Sequence, residues 1–209
     1  MHKWILTTAV LVAVAATSML AIAKDKNGDM MAQAQLNEKA PNFTLANVET
    51  GESWSLSDNQ GKFTVIVFES IHCPWNYLRP DGGYERVLKP MAAKWKDKGV
   101  EFVAINSNKN ESDADVKAYA EKVQLGYPIL RDPGAKVADQ FGAQTTPHVF
   151  VINKEGVLVY RGGIEQAPGR PSDCGQMQEQ YLEPVLVALT EGKPLPYTET
   201  KSKGCGIKR

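Results

Sequence analysis

Two uninterrupted apolar runs dominate the hydrophobic pattern of the chain, one at residues 62–70 (KFTVIVFES) and one at 99–107 (GVEFVAINS). Runs of β-branched and aromatic residues of this length are typical of strands that are buried on both faces of a sheet. Between the runs, apolar residues from Tyr84 to Trp95 recur at helical spacing, and Pro90 inside this pattern predicts a kink. A strand, a helix and a strand in this order predict a right-handed crossover.

The remaining pattern completes an α/β domain. Apolar segments between turn residues predict strands, and a 3.6-residue period predicts helices, one of them capped by Ser112. These further elements are two short strands in 40–58, a helix in 112–126, a strand in 127–132, a helix in 134–143, a hairpin in 148–162 and a last helix in 175–193. This order predicts a three-layer α/β/α sandwich with a central mixed β-sheet.

The amino-terminal residues MHKWILTTAVLVAVAATSMLAIA predict a secretory signal peptide. They contain one lysine near the start, an apolar stretch and a small-x-small cleavage site that ends at Ala23. A transmembrane anchor is the weaker interpretation, because threonines and a serine interrupt a stretch that is shorter than a bilayer requires. We therefore expect an exported protein, periplasmic or extracellular, with no membrane attachment after cleavage. The expected organisation is a signal peptide at 1–23, a flexible leader at 24–37, one α/β domain at 38–195 and a basic, cysteine-containing tail at 196–209.

The charge balance excludes one class of partner, and the cysteine count indicates a reactive thiol. The 24 basic residues balance the 24 acidic residues, so no nucleic-acid or polyanion partner is expected. The chain has three cysteines, Cys73, Cys174 and Cys205. In an oxidising compartment an odd number always leaves one thiol over, which indicates reactive rather than purely structural use.

The stretch SIHCPWNY, residues 70–77, places Cys73 directly after the predicted central strand. Pro74 is expected to open the next helix, where a missing N–H costs nothing. The unpaired N–H groups and the positive dipole at a helix start favour a thiolate, and a protonated His72 would add to this effect. The alternative is an inert core cysteine, but the order strand, cysteine, proline, helix favours a nucleophile.

A second stretch, TTPHVF at 145–150, places Pro147 at the start of a predicted strand. Proline cannot donate to a strand ladder and is tolerated there only at a strand start. A cis bond at such a position is usually a deliberate structural feature. An ordinary loop proline is the alternative, and the motif by itself is weak.

Taken together, these stretches resemble the thioredoxin-like superfamily, and within it the redoxin branch of alkyl hydroperoxide reductase and thiol-specific antioxidant (AhpC/TSA), peroxiredoxin-like proteins. The resemblance lies in HCPWN, GVEFVAINSN, YPILRDPGAKVADQFGA and TTPHVFVINKEGVLVYRGGI. It implies a thioredoxin-like fold and an antioxidant, thiol-dependent oxidoreductase without a cofactor. The implied partners are a peroxide, a small-molecule thiol or a protein disulfide, and an external thiol reductant. It also places a cis-proline loop beside Cys73, and the implied substrate contacts are His72, Pro74, Asn76, Thr146 and Pro147.

Two departures from the family patterns restrict the reaction. Asn76 stands where a thioredoxin has the second cysteine of Cys-x-x-Cys, so dithiol exchange within one motif is excluded. Ser70 fits the peroxiredoxin pattern Pro-x-x-x-Thr/Ser-x-x-Cys, but residue 66 is Ile rather than Pro. The arginine that peroxiredoxins place near the cysteine is unassigned, with Arg79, Arg131 and Arg161 as the options.

The thiol that replaces the missing cysteine is expected in the tail sequence KSKGCGIKR. Glycines beside Cys205 give reach, and the nearby cations favour a thiolate. Some redoxin chains that resemble this one end with a similar Gly-Cys-x-Ile-Lys tail, so Cys205 is a possible resolving thiol for Cys73. An exposed tail without a role is nearly as good an interpretation. Cys174, in a Pro/Gly loop, is an alternative partner for Cys73, or it could bond to Cys205.

Two functions of other classes stay open at this point. His72, Cys73 and His148 could hold copper as in thioredoxin-like chaperones, but residue 77 is Tyr where those proteins repeat the cysteine, and no zinc spacing is present. We therefore expect no metal. The other alternative is a non-catalytic thioredoxin-like binding module, which the intact Cys73 and the Thr146–Pro147 pair count against.

Overall fold

The computed structural model describes residues 22–24, 30–76, 83–177 and 179–209, with side chains from residue 33 onwards. The predicted signal peptide up to residue 21, and Arg79, lie outside the described residues. Within these ranges the strands are β1 (Ile22–Lys24), β2 (Met30–Ala32), β3 (Thr44–Asn47), β4 (Ser53–Ser55), β5 (Phe63–Glu69), β6 (Val100–Asn106), β7 (Ile129–Arg131), β8 (Thr145–Thr146), β9 (His148–Ile152), β10 (Leu158–Gly162) and β11 (Cys205–Gly206). The helices are α1 (Glu85–Lys96), α2 (Asp113–Val123), α3 (Lys136–Phe141) and α4 (Leu182–Thr190), with 3₁₀ turns at Leu56–Asn59 and Pro171–Asp173.

Seven strands form one mixed sheet in the order β10-β9-β5-β6-β7-β3-β4. β5, β6 and β7 are parallel neighbours, and the other pairings in this sheet are antiparallel. β5 lies inside the sheet between β9 and β6 and is buried along its whole length, which confirms the strand predicted from the first apolar run. The carboxyl end of this strand leads directly into the segment that carries Cys73.

The two faces of the sheet carry separate cores. Val65 and Val67 of β5 belong to the core that contains residues of α1, α2 and α4. Ile66 and Phe68 belong to the core that contains residues of α3. Because successive side chains of a strand point to opposite faces, one strand contributes to both cores. The predicted three-layer sandwich is therefore confirmed.

The last helix is shorter than the sequence predicts. α4 begins at Leu182 rather than near Gly175, and Met177 lies in a loop. The buried carboxylate of Glu165 accepts the Gly175 N–H at 2.7 Å and the Gln180 side-chain amide at 2.8 Å. Glu165 lies in the loop that follows β10, so the helical spacing of the segment itself does not reveal these contacts. None of the described helices is long and apolar enough to cross a bilayer.

At the amino-terminal side, the end of the predicted leader contacts the domain. Ala34 is buried, and its N–H donates to the Gln140 carbonyl at 2.7 Å. The Asn37 N–H donates to the Leu158 carbonyl at 2.8 Å. The folded unit therefore includes residues before position 38, where the sequence analysis places the start of the domain.

At the carboxyl-terminal side, residues 198–209 form an extended segment that we call the strap. Its first part runs beside β10, where the Arg161 N–H donates to the Thr198 carbonyl at 3.0 Å and the Thr200 N–H donates to the Arg161 carbonyl at 3.1 Å. The approach is close, because a Cβ on Gly162 would lie 2.2 Å from Thr200 Oγ1. Only a glycine leaves room for the strap at that point.

The second part of the strap reaches the loop before β9. β11 pairs antiparallel with β8, with Cys205 opposite Thr146. Ile207 is buried in the α3 core, and its N–H donates to the Gln144 carbonyl at 3.1 Å. The sequence indicates a tail with room to move, whereas this strand pairing and the burial of Ile207 hold it on the domain.

Candidate active site

Cys73 lies in a tight turn just after the carboxyl end of β5. Its N–H donates to the Ser70 carbonyl at 3.3 Å, and its carbonyl accepts the Asn76 N–H at 3.0 Å. Pro74 belongs to this turn rather than to a helix, and α1 begins only at Glu85. The helix start expected beside the sulfur is therefore not found among the described residues. The neighbours of the thiol come instead from the loop before β9 and from the strap.

The main chain of Thr146 is the direct partner of the Cys73 sulfur. The Cys73 thiol is part of a side chain that is only 1% exposed, and it donates to the Thr146 carbonyl oxygen at 3.0 Å. The peptide bond between Thr146 and Pro147 is cis, as the sequence predicts. The loop before β9 thus faces the cysteine.

Cys205 lies opposite Thr146 in the pairing of β11 with β8, so it adjoins the residue whose carbonyl accepts the Cys73 thiol. Both cysteines are free. Partial burial first, and then the hydrogen bond and charge of Cys73, raise the pKa of Cys205 to about 12, against a smaller lowering effect of Lys208. The Thr146 hydroxyl also donates to the Cys205 carbonyl at 3.4 Å. Thr146 therefore contacts both thiol-bearing segments.

Gly204 lets the strap lie flat on the cis-proline loop. A Cβ at this position would lie 2.0 Å from the Thr146 carbonyl oxygen and 3.1 Å from the Pro147 nitrogen. Both neighbours are backbone atoms that cannot rotate away. A Cβ on Gly206, by contrast, would meet nothing within 4 Å. The two glycines beside Cys205 thus have different roles, and Gly204 is the one that close packing requires.

Cys174 belongs to a separate cluster near the start of α1. Its side chain is buried, and its carbonyl accepts a hydrogen bond from the Arg86 guanidinium of α1. Burial first, and then the charge of Glu165, raise the pKa of Cys174 to about 11. Among the described contacts, none joins Cys174 to Cys73 or to Cys205. The structure therefore brings together two of the three cysteines that the sequence nominated.

Two buried carboxyl groups beneath the Cys73 turn were missed by sequence reasoning. Glu111 accepts hydrogen bonds from the segment that precedes Cys73, and Glu69 lies at the end of β5. Burial, and then the charge of Glu111, raise the pKa of Glu69 from 4.5 to about 8. The only sequence signal for Glu69 is a charged residue that ends a run otherwise typical of a buried strand.

The remaining predicted contact residues surround the turn in different ways. His72 has a largely exposed side chain, with Nδ1 3.4 Å from a carboxylate oxygen of Glu111. Asn76 is fully buried, and its side-chain amide has no hydrogen-bond partner among the described residues. Trp75 lies beside the turn with Lys203 Nζ 5.2 Å from its ring centre. The position of the missing second cysteine is therefore a buried polar site.

The arginines that the sequence offered for a peroxide site have other partners. Arg131 pairs with Asp113 at 2.7 Å, and Arg161 pairs with Glu199 of the strap at 2.8 Å. Neither has a described contact with Cys73, and no equivalent of the peroxiredoxin arginine is seen in the described part of the chain.

The copper alternative finds no support in the geometry of the described residues. Within them, no three His, Cys, Asp or Glu side chains come together as a metal-binding group. His148 packs against the Phe150 ring with 4.5 Å between ring centres. Burial first, and then the charge of Arg161, lower the pKa of His148 to about 4. This histidine is thus part of the core edge beside β10.

Comparisons with known proteins identify the family of the chain. A family model described as the AhpC/TSA family matches residues 36–161. The thiol-disulfide oxidoreductase ResA of Halalkalibacterium halodurans is 30% identical over 152 residues, which cover 72% of this chain and 77% of that protein. Another relative of the same name, from Bacillus anthracis, is 31% identical over 157 residues, 75% of this chain and 79% of that protein.

Solved structures give the same fold. The crystal structure of an uncharacterized conserved protein from Geobacillus kaustophilus has a TM-score of 0.74 at 32% identity and covers 84% of this chain and 92% of the other. A protein described as a thiol:disulfide interchange protein DsbE, from Chlorobium tepidum, has a TM-score of 0.58 at 23% identity and covers 76% and 99% of the two chains. The second likeness concerns the fold alone, which is thioredoxin-like.

Replacing Glu69→Gln should remove a pH dependence of stability. Because the folded chain holds the Glu69 proton more tightly than the unfolded chain, the stability that this group contributes is fully present below pH 4.5 and is lost as the pH rises through about 8. The free energy of unfolding of the variant, relative to wild type, should therefore increase by about 1.4 kcal/mol per pH unit between roughly pH 5 and 8. Urea unfolding at four pH values measures this difference. The control is Glu121→Gln on the exposed face of α2, and a flat difference for Glu69→Gln would contradict the burial of its proton.

Replacing Gly204→Ala should lift the strap from the Cys73 turn, because the new methyl group would collide with the Thr146 carbonyl. We expect Cys73 to react at least tenfold faster with a maleimide carried on a polyethylene glycol chain, in a Cys174→Ser background with labelling mapped by mass spectrometry. Gly206→Ala adds the same methyl group to the same strand without a clash and is the matched control. Equal labelling rates in the two variants would show that the strap does not cover the sulfur.

Proposed function

We propose that this chain, which belongs to the AhpC/TSA family and is a thiol-disulfide oxidoreductase of thioredoxin-like fold, reduces disulfides through Cys73 as nucleophile and Cys205 as resolving thiol. The observation that supports the pairing is that Cys205 lies opposite Thr146 in the β8–β11 pair, while the Thr146 carbonyl accepts the Cys73 thiol. The two cysteines are far apart in the sequence, yet both adjoin Thr146. In this proposal Cys205 replaces the cysteine that Asn76 lacks.

The proposed cycle transfers two electrons from the two thiols to one substrate disulfide. Cys73, as thiolate, attacks one substrate sulfur, which forms a mixed disulfide and releases the first substrate thiol. Cys205 then loses its proton and attacks the Cys73 sulfur, which forms a Cys73–Cys205 disulfide and releases the second substrate thiol. The substrate gains two protons and two electrons, and an external thiol reductant later returns two of each to the protein.

The order of the two cysteines follows from their surroundings. The pKa of Cys205 is raised in part by the hydrogen bond and the charge of Cys73. When the Cys73 sulfur enters a mixed disulfide it carries neither a proton nor a charge, so both of these effects disappear. Burial, the largest cause of the raised pKa, remains, but the first step makes the Cys205 proton easier to remove, which suits Cys205 to the second step of the proposal.

Protein disulfides and small disulfides are the proposed substrates, and peroxide reduction is the second candidate. The burial of Cys73 beneath the strap favours a small oxidant, since the side chain is 1% exposed. The Ser70 hydroxyl, at the position of the peroxiredoxin Thr/Ser, argues for disulfides, because its proton is donated to Glu111 and is not available to a bound peroxide. A peroxide would convert Cys73 to a sulfenate, which Cys205 would condense with to give the same disulfide and water.

Export completes the proposal, and with it a role in maintaining thiols outside the cytoplasm. It is supported by the basic, apolar and small-x-small pattern of residues 1–23. Sequencing the amino terminus of the protein in cell fractions tests it. A periplasmic or secreted chain that begins near Lys24 is expected, and an intact amino terminus in the cytoplasmic fraction would overturn it.

Cys205→Ser should stop the cycle after its first step. We expect the wild-type chain and Cys174→Ser to give a Cys73–Cys205 disulfide after one equivalent of glutathione disulfide, as mapped by mass spectrometry. Cys205→Ser should instead accumulate glutathione on Cys73 and turn over at least tenfold more slowly, because no second thiol adjoins the mixed disulfide. A Cys73–Cys174 bridge, or unchanged turnover in Cys205→Ser, would contradict the assignment. Stopped-flow rates with glutathione disulfide and with hydrogen peroxide separate the two substrate classes.

A further inference from the structure

Glu111 holds the chain segment that leads from β5 into Cys73. Its carboxylate is buried and accepts hydrogen bonds from the Ser70 hydroxyl, the Ile71 N–H at 3.2 Å and the His72 N–H at 3.2 Å. Hydrogen bonds to an ionised carboxylate are shorter and stronger than those between neutral groups. The Glu111 side chain thus accepts a hydrogen bond from each of the three residues that precede Cys73.

The turn that carries Glu111 also holds the strap. The Lys208 N–H donates to Asn108 Oδ1 at 2.8 Å, and the Lys109 N–H donates to the Lys208 carbonyl at 2.8 Å. The Asn108 side-chain amide in turn donates to the Glu69 carbonyl at 3.2 Å. Residues 106–111, which we call the bracket turn, therefore touch the segment before Cys73 and the segment after Cys205.

The bracket turn is itself rigid where it meets Glu111. Asn106, the last residue of β6, is fully buried and donates from its side-chain amide to the Glu111 carboxylate. The guanidinium of Arg131, on β7, donates to the Glu111 carbonyl at 3.0 Å. The position of the carboxylate is thus set by two strands of the central sheet and not by the Cys73 turn that it holds.

We propose that Glu111 is a positioning residue that fixes the Cys73 sulfur at the Thr146 carbonyl and so sets how readily Cys73 and Cys205 form a disulfide. This inference rests on the proposed function, in which those two thiols are the redox pair. A glutamine at 111 has nearly the same shape, but it is neutral and presents an N–H₂ group where the carboxylate now accepts. It cannot accept all of the hydrogen bonds that Glu111 accepts.

Asp132 offers a matched control for a purely structural effect. It is also a buried carboxylate, and it accepts hydrogen bonds from the Ser107 hydroxyl at 2.8 Å and from the N–H groups of Val137 and Ala138 at 3.1 and 3.0 Å. The two N–H groups lie at the start of α3, whereas Ser107 belongs to the bracket turn. None of the described contacts of Asp132 reaches Glu111, the Cys73 turn or the strap, so Asp132→Asn removes similar chemistry, including a contact of the bracket turn, without removing a partner of the Cys73 segment.

The test compares Glu111→Gln and Asp132→Asn in a Cys174→Ser chain equilibrated with glutathione and its disulfide. Each reaction consumes one glutathione disulfide and yields one Cys73–Cys205 disulfide and two glutathione molecules. We expect Glu111→Gln to lower the equilibrium constant about tenfold, which corresponds to about 30 mV for this two-electron couple. The equilibrium constant of Asp132→Asn should stay within twofold of that of the parent, even where its thermal unfolding temperature falls as far as that of Glu111→Gln. No change in Glu111→Gln, or an equal change in both variants, overturns the proposal.

A milder variant and a second readout keep the test decisive. Where Glu111→Gln does not fold, Ser70→Ala removes one of the same hydrogen bonds and should lower the constant about threefold, and no change in that variant overturns the proposal. Where the parent forms no Cys73–Cys205 disulfide, the proposed function fails, and the role of Glu111 is then read from Cys73 alkylation in a chain that also carries Cys205→Ser. Labelling at least fivefold faster in Glu111→Gln, but not in Asp132→Asn, supports the role, and equal rates overturn it.

Discussion

The arrangement of the site depends on one backbone group, the carbonyl of Thr146. It accepts the Cys73 thiol at 3.0 Å, and a Cβ on Gly204 would lie only 2.0 Å from its oxygen. The cis bond to Pro147 and the pairing of β8 with β11 hold this carbonyl between Cys73 and the strap. Because an unsatisfied buried carbonyl is costly, the contact ties the thiol, the loop and the strap into one unit.

The fold could be predicted from the sequence because local patterns of apolar residues indicate its strands and helices. β5 is buried on both faces, so every residue from Phe63 to Phe68 other than Thr64 is apolar and the run is visible without its partners. The cis-proline loop follows from a short motif in the same way, whereas the helix start expected at Pro74 is a turn in the structure. The bracket turn is different, since Glu111 lies 40 residues from the Ile71 N–H that it accepts, in a segment whose composition is that of an ordinary polar loop. Only tertiary packing distinguishes it.

The strap shows a second limit of prediction from the sequence. Its glycines and lysines read as a mobile tail, and glycine does allow movement in an isolated chain. In the folded protein Gly204 has the opposite effect, because the absent Cβ permits contact with the cis-proline loop. Ile207, an apolar residue between Gly206 and Lys208, is buried in the α3 core. Composition alone cannot tell a glycine that loosens a segment from one that lets it pack.

In the proposed cycle, the docked strap limits the access of a substrate to Cys73 but keeps Cys205 near it. While the strap is in place, Cys205 lies opposite Thr146, the residue whose carbonyl accepts the Cys73 thiol, so the proposed second step does not require the strap to leave. A disulfide in another protein cannot reach a side chain that is 1% exposed unless the strap moves aside. In the proposed cycle the same segment therefore limits the first step for large substrates and accelerates the second for all of them. For small disulfides and peroxides, only the second step is affected. How strongly the strap limits the first step for large substrates depends on how firmly Gly204 and Ile207 hold the strap on the domain.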